Sequence, residues 1–169
     1  AETSKIKMLV DGLLSENEKI DLLVNNAGFL VAKPFDKITL ADAETIYKVN
    51  VLGTDRILQL AERSGARVLF TSSSEVYGSS NLPVDESYLG KVDPFTIRSG
   101  YVESKRMAET LCKIYSLRGV DVVVARLFNI YGPGMEDRVI VEFYNRLIKG
   151  LPITIYGTGE QTRCFLWID

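Results

Sequence analysis

The 169-residue sequence contains no histidine, so the side chain most used to move protons at neutral pH is missing. Cysteine is scarce. Cys112 and Cys164 stand far apart without a C-x-x-C pair, which argues against a disulfide framework or a thiolate-bound metal. Two separate thiols point to a reducing, cytoplasmic setting. No apolar run approaches the roughly 18 residues of a membrane-crossing helix. The 20 basic and 22 acidic residues are interspersed, leaving a net charge of -2 and no stripe for nucleic acid or an anionic membrane. No repeat, low-complexity tract or proline-rich linker is present. With 46% hydrophobic residues, a chain of this length can bury one domain core.

The apolar pattern alternates between helix and strand periods. Ile6, Leu9, Val10, Leu13 and Leu14 predict an amphipathic helix over residues 3–17. The run IDLLVNNAG predicts a buried strand at 20–24 ending in a loop. Thr39 and Asp42 have capping-box spacing, and the helix they open should continue through Gly53 to about residue 62, with Gly65 closing it. ARVLFTSSS is a second strand running into a polar turn. Residues 79–98 form a long irregular connection, of a length usually functional or mobile. A helix over 100–117, a strand in VDVVVARLF, a loop at NIYGPGM, a helix over 139–148 and strands in PITIYG and RCFLWI complete the order. That alternation predicts a parallel α/β sheet with crossover helices, with ligands bound beyond the strands' C-terminal ends.

One pair offers an alternative to histidine. Tyr101 and Lys105 are four residues apart in SGYVESKRMAET, on one face of the predicted helix. The spacing alone is weak, since with 8 tyrosines about half a match is expected by chance. An ammonium beside the phenol would nevertheless favour phenolate and lower its pKa. Ser72, Ser73, Ser74 and Glu75 follow the second strand, where a hydroxyl would share a proton with Tyr101 and polarise a substrate oxygen. A serine run by itself reads equally as a strand-ending turn.

Taken in order, TSSSEVYG, YVESKRMAET, ARLFNIYGPG and ITIYGTGEQTRCFLWID resemble the extended branch of the short-chain dehydrogenase/reductase superfamily. These are NAD-dependent nucleotide-sugar epimerases, dehydratases and decarboxylases, and the likeness covers about residues 20–169. The resemblance implies a Rossmann-like doubly wound parallel sheet, incomplete here. Residues 1–138 would be part of the NAD-binding domain and 139–169 the start of a C-terminal substrate-binding lobe.

By the same resemblance Tyr101 is the acid/base at a sugar hydroxyl, and Lys105 is its partner and a ligand of the nicotinamide ribose. Ser73 bonds the reacting oxygen, with Ser72 or Ser74 possible in another loop register. Asn26, Ala27 and Gly28 lie along the cofactor, Phe128 stands beside the nicotinamide, and Asn129 and Arg163 hold the UDP- or dTDP-sugar. Asn50 is mainly structural, and Cys112 belongs to the core. Where the dehydratases carry Asp-Glu, this chain has Ser74-Glu75. A serine is a poor proton donor to a leaving hydroxide, so a UDP-glucuronate decarboxylase is expected ahead of a dehydratase, with Glu75 placing the substrate and a 4-epimerase close behind. The family commonly forms homodimers.

NNAG itself is closer to the shorter branch, which keeps a carbonyl reductase in view, and a non-catalytic dinucleotide-binding scaffold is a further alternative. The glycine-rich dinucleotide turn is not found. GPG at 132–134 lacks a third glycine and GTG at 157–159 leads into a strand. The family pattern would require about 60 residues ahead of Ala1 and over 100 beyond Asp169, so the 169 residues alone are expected to bind NAD weakly.

Overall fold

The computed structural model describes Met8, Asp11, Gly12, Ser15 and residues 19–31, 33–80, 83–136 and 138–168. Most of the helix expected over 3–17 therefore lies outside the described residues. The chain divides into two compact units, Ala1–Arg126 and Leu127–Asp169.

In the first unit, strand β1 (Leu22–Asn25) pairs in parallel with β2 (Arg67–Ser73), Leu22 opposite Arg67 and Asn25 opposite Phe70. Strand β3 (Val122–Leu127) lies on the other side of β2. The strand order β1-β2-β3 makes β2 central, and it is the most deeply packed of the three. Val68, Phe70 and Ser72 on one of its faces are buried, and Leu69, Thr71 and Ser73 on the other are half-buried. Val68 and Phe70 pack with Leu58, Ala61, Ala108 and Cys112, a cluster drawn from the helices on either side in sequence. The Cys112 thiol is pushed up to about 12 by this apolar setting, which keeps it protonated and inert at neutral pH.

Helix α1 (Leu40–Ile46) opens on the capping box. Asp42 N donates to Thr39 Oγ1 at 3.2 Å, and Thr39 N donates back to Asp42 Oδ2 at 2.9 Å. The helix then widens into a π turn over Tyr47–Leu52 before continuing as α2 (Gly53–Ser64), closed by Gly65 at φ 71°. Periodicity predicts one uninterrupted helix. The insertion accompanies the burial of Asn50, whose side chain is drawn inward by three hydrogen bonds. After β2 a 3-10 turn (Ser74–Tyr77) leads into the long connection, and α3 (Ser99–Leu117) follows. Two devices hold the connection. Gly78 and Lys91 form an isolated bridge, and Arg106 Nη1 donates to the carbonyls of Val76 and Leu89 at 3.1 Å each.

The second unit carries β4 (Asn129–Tyr131), α4 (Val139–Ile148) and β5 (Phe165–Trp167), with β4 and β5 parallel. Tyr131 packs edge-on against Phe165 and Trp167, its ring centroid 6.0 and 5.2 Å from theirs. NIY, expected as loop, is thus a strand, and PITIYG, expected as a strand, is irregular. A strand needs a hydrogen-bonded neighbour, and among the described residues 152–157 have none. Gly132 also finds its reason here, because a Cβ would lie 2.3 Å from the Ile168 carbonyl oxygen. Close backbone approach accounts for this glycine. Among the described residues no helix is long and apolar enough to cross a membrane.

Gly78 sits at φ 64°, and a Cβ there would meet the Lys91 carbonyl oxygen at 1.9 Å. Gly78→Ala is expected to cost at least ~2 kcal/mol by urea denaturation, combining backbone strain with that clash. An unchanged midpoint would show that the bridge is dispensable.

Candidate active site

The site forms where the C-terminal ends of β1 and β2 meet the first turns of α3. Strand alternation sorts the serine run. Ser72 points to the buried side and donates to Glu109 Oε1 at 2.5 Å. Glu109 also receives Arg126 Nε at 3.0 Å and Nη2 at 2.7 Å. Ser73, on the opposite face, comes within hydrogen-bonding reach of the Tyr101 phenol and accepts from Glu75 N at 3.2 Å. Ser74 opens the turn that carries Glu75. Of the three registers left open by the sequence, Ser73 is the hydroxyl that meets the tyrosine.

Lys105 is only 3% exposed. Its Nζ donates to the Thr71 carbonyl at 2.8 Å and lies 4.9 Å from the Phe70 ring centroid and 5.9 Å from that of Tyr101. Burial is the first cause that lowers its pKa from the ordinary lysine value. The half-buried Tyr101 shifts the opposite way from the sequence-based expectation. Burial holds its pKa above the ordinary tyrosine value, the Ser73 hydrogen bond opposes that, the Glu75 charge adds to it, and the Arg98 charge works against it. The ammonium of Lys105 donates to the Thr71 carbonyl at the end of β2, with the Tyr101 ring centroid 5.9 Å away.

A polar chain ties the β1 loop to α3. Asn50 Oδ1 accepts from Phe29 N at 2.8 Å, and Asn50 Nδ2 donates to Phe29 O at 2.9 Å and to Ser104 Oγ at 2.8 Å. Ser104 Oγ in turn donates to the Tyr101 carbonyl at 2.6 Å. Asn26 receives a 3.0 Å hydrogen bond from Thr71, and a Cβ on Gly28 would lie 3.6 Å from Lys105 Nζ. Gly28, lacking a side chain, thus brings its backbone close to the ammonium.

This arrangement suits a dinucleotide. Lys105 has three donors, of which Thr71 takes one, and the others fit a ribose diol. The small residues at 26–28 permit close approach of a cofactor to the backbone. Phe128, Asn129 and Arg163 belong to the second unit. Asn129 Nδ2 donates to the Cys164 carbonyl at 3.1 Å, Arg163 Nη1 donates to the Thr162 carbonyl at 2.7 Å, and Phe128 is partly exposed. Glu109, Ser104 and Arg98 escape the sequence reading. Arg98 carried a signal, being three residues before Tyr101, whereas the partners of Glu109 come from residues 72 and 126 and are joined only by the fold.

A parallel α/β sheet with such a strand-end site is a Rossmann-like architecture of the dinucleotide-binding class. Residues 6–169 match the NAD dependent epimerase/dehydratase family, and the chain belongs to it. Over 127 residues, 72% of the chain, it is 46% identical to UDP-glucuronic acid decarboxylase 1 of Xenopus tropicalis and 48% identical to UDP-glucuronic acid decarboxylase 1 of Arabidopsis thaliana. Those stretches are 30% and 29% of the two proteins. A UDP-glucuronic acid 4-epimerase from Bacillus cereus, solved with UDP-glucuronic acid and NAD, superposes with a TM-score of 0.71 at 25% identity, covering 94% of this chain and 48% of that one. DesIV, a dTDP-glucose 4,6-dehydratase from Streptomyces venezuelae solved with NAD, gives 0.67 at 29% identity over 94% and 48%. The chain thus spans about half the length of these structures and under a third of the curated relatives.

Replacing Lys105 by methionine removes a buried charge while keeping the packing. At neutral pH the substitution is expected to stabilise the fold by ~1 kcal/mol. Since the folded lysine binds its proton more weakly than the unfolded one, the wild-type fold gains stability as pH rises toward 10.5. The advantage of Lys105→Met should therefore shrink in thermal melts as pH rises toward 10.5. A variant that is less stable at every pH would contradict the assignment of a costly buried ammonium.

Proposed function

We propose that the whole protein carrying this chain acts on a nucleotide sugar with NAD, and that its reaction is decarboxylation of UDP-glucuronate. The observation that carries the acid/base part is the convergence of Ser73, a half-buried Tyr101 and a buried Lys105 at one strand end. The choice of UDP-glucuronate rests on what the decarboxylase relatives are named for and on Ser74-Glu75 at the position where dehydratases carry Asp-Glu.

NAD, when bound, would supply an acceptor for the hydride on the carbon that bears the sugar hydroxyl and would later return it. The chain's own residues do the rest. Tyr101 takes the hydroxyl proton and later gives one back, and Ser73 bonds the same oxygen and holds it against the phenol. Lys105 and the backbone of Asn26, Ala27 and Gly28 hold the cofactor. Phe128, Asn129 and Arg163 contribute the nicotinamide and nucleotide-sugar contacts. Glu75 assists by placing the substrate, whose carboxylate is easily lost once the neighbouring ketone has formed.

An epimerase is the second reading, supported by the 4-epimerase neighbour. The carbonyl-reductase and scaffold readings have less support, since the relatives are nucleotide-sugar enzymes and Tyr101 and Lys105 are both present. We place the protein in the cytoplasm, where the free thiols of Cys112 and Cys164 persist, and assign it a homodimer paired through α3, whose Met107 and Ile114 are exposed.

Incubated with UDP-glucuronate and NAD, the whole protein is expected to release carbon dioxide and UDP-xylose, followed by mass spectrometry. Tyr101→Phe is expected to lower kcat at least ~100-fold. UDP-galacturonate as product would move the assignment to the epimerase, and full turnover by Tyr101→Phe would remove Tyr101 from the chemistry.

A further inference from the structure

Arg98 belongs to neither motif of the site, yet its guanidinium joins two of the site's members. Its Nε donates to Glu75 Oε2 at 2.7 Å and its Nη2 donates to Glu75 Oε1, a two-pronged grip on both carboxylate oxygens. The same guanidinium carbon lies 5.9 Å from the centroid of the Tyr101 ring. Lys105 Nζ is also 5.9 Å from that centroid, so two cations flank the ring of the proton-exchanging residue.

Stability does not account for the pair. The side chains of Arg98 and Glu75 are 44% and 33% exposed, and ion pairs so open to water add little to stability. Position is the informative feature. Arg98 is the residue immediately before α3, and Glu75 sits in the turn after β2, so their bond joins the serine turn to the start of the tyrosine helix.

We propose that Arg98 is a positioning residue for the acid/base step: it orients and neutralises Glu75, so that the Tyr101 phenol exchanges protons beside a paired carboxylate instead of a bare one. The proposal rests on the reading of Tyr101 as the acid/base. The charged groups facing Tyr101 are Glu75 from the turn after β2, Arg98 from the approach to α3 and Lys105 from α3 itself, with the Ser73 hydroxyl from β2. The charges of Glu75 and Arg98 pull the phenol in opposite directions, so removing only the cation leaves the carboxylate unopposed. A lysine would keep the charge but could not span both carboxylate oxygens.

The test uses the whole protein labelled with 13Cζ-tyrosine, reading the Tyr101 titration by NMR and the pH dependence of kcat with UDP-glucuronate. Arg98→Gln is expected to move the Tyr101 titration to higher pH, to move the limb of the kcat profile that tracks phenolate the same way, and to lower kcat at pH 7 about tenfold. Arg98→Lys is expected to fall between the two, which keeps the test open if Arg98→Gln folds poorly. Glu75→Gln/Arg98→Gln is expected to bring the titration back toward wild type. A Tyr101 titration unmoved in both Arg98 variants would overturn the proposal while leaving Tyr101 its role. Full turnover in Tyr101→Phe would instead overturn the underlying reading, whatever the titration shows.

Discussion

The site depends on an ammonium placed where ammonium groups are rarely found. Lys105 is buried at the end of the central strand, bonded to the Thr71 carbonyl, with Phe70 and Tyr101 rings nearby. A charge in this position lowers the stability of the fold, since desolvation exceeds what one hydrogen bond and a nearby ring return. The proposed function gives the ammonium a use, since the donors beyond the one that Thr71 takes suit a ribose diol. The core next to it is correspondingly firm: Leu58, Val68, Phe70, Ala108 and Cys112 are almost completely buried and hold β2 and α3 together.

The remaining geometry follows from how β2 ends. Alternation sends Ser72 inward to Glu109 and Ser73 outward to the phenol, so one strand both anchors itself and presents a hydroxyl to Tyr101. The Asn50 π turn plays the corresponding part on the other side, fastening the loop after β1 to Ser104 one turn beyond Tyr101. Burial holds the Tyr101 phenol above its usual range. The Glu75 charge adds to that shift and the Arg98 charge works against it.

Much of this was legible in the sequence. The strand cores, the Thr39/Asp42 cap, the helix expected over 100–117 and the likeness carried by Tyr101, Lys105 and the serine run are local signals, written within a few residues of one another. The misreadings share one physical cause, which is that a pairing partner decides the outcome. ITIYG has strand propensity but no neighbour, whereas NIY pairs with FLW at a separation no local pattern reveals. The direction of the Tyr101 shift was misjudged because helical spacing places a lysine on the same face without saying where its ammonium ends. Here it bonds across to β2, and Arg98 takes the place beside Glu75.

The central claim is that Lys105 is a buried, hydrogen-bonded ammonium with a proton affinity below that of an ordinary lysine. Nitrogen-15 NMR of the Lys105 side chain measures this directly. The account predicts an NH3 signal protected from solvent exchange at neutral pH and a titration midpoint below 10.5. A rapidly exchanging signal that titrates at the ordinary lysine value would contradict it.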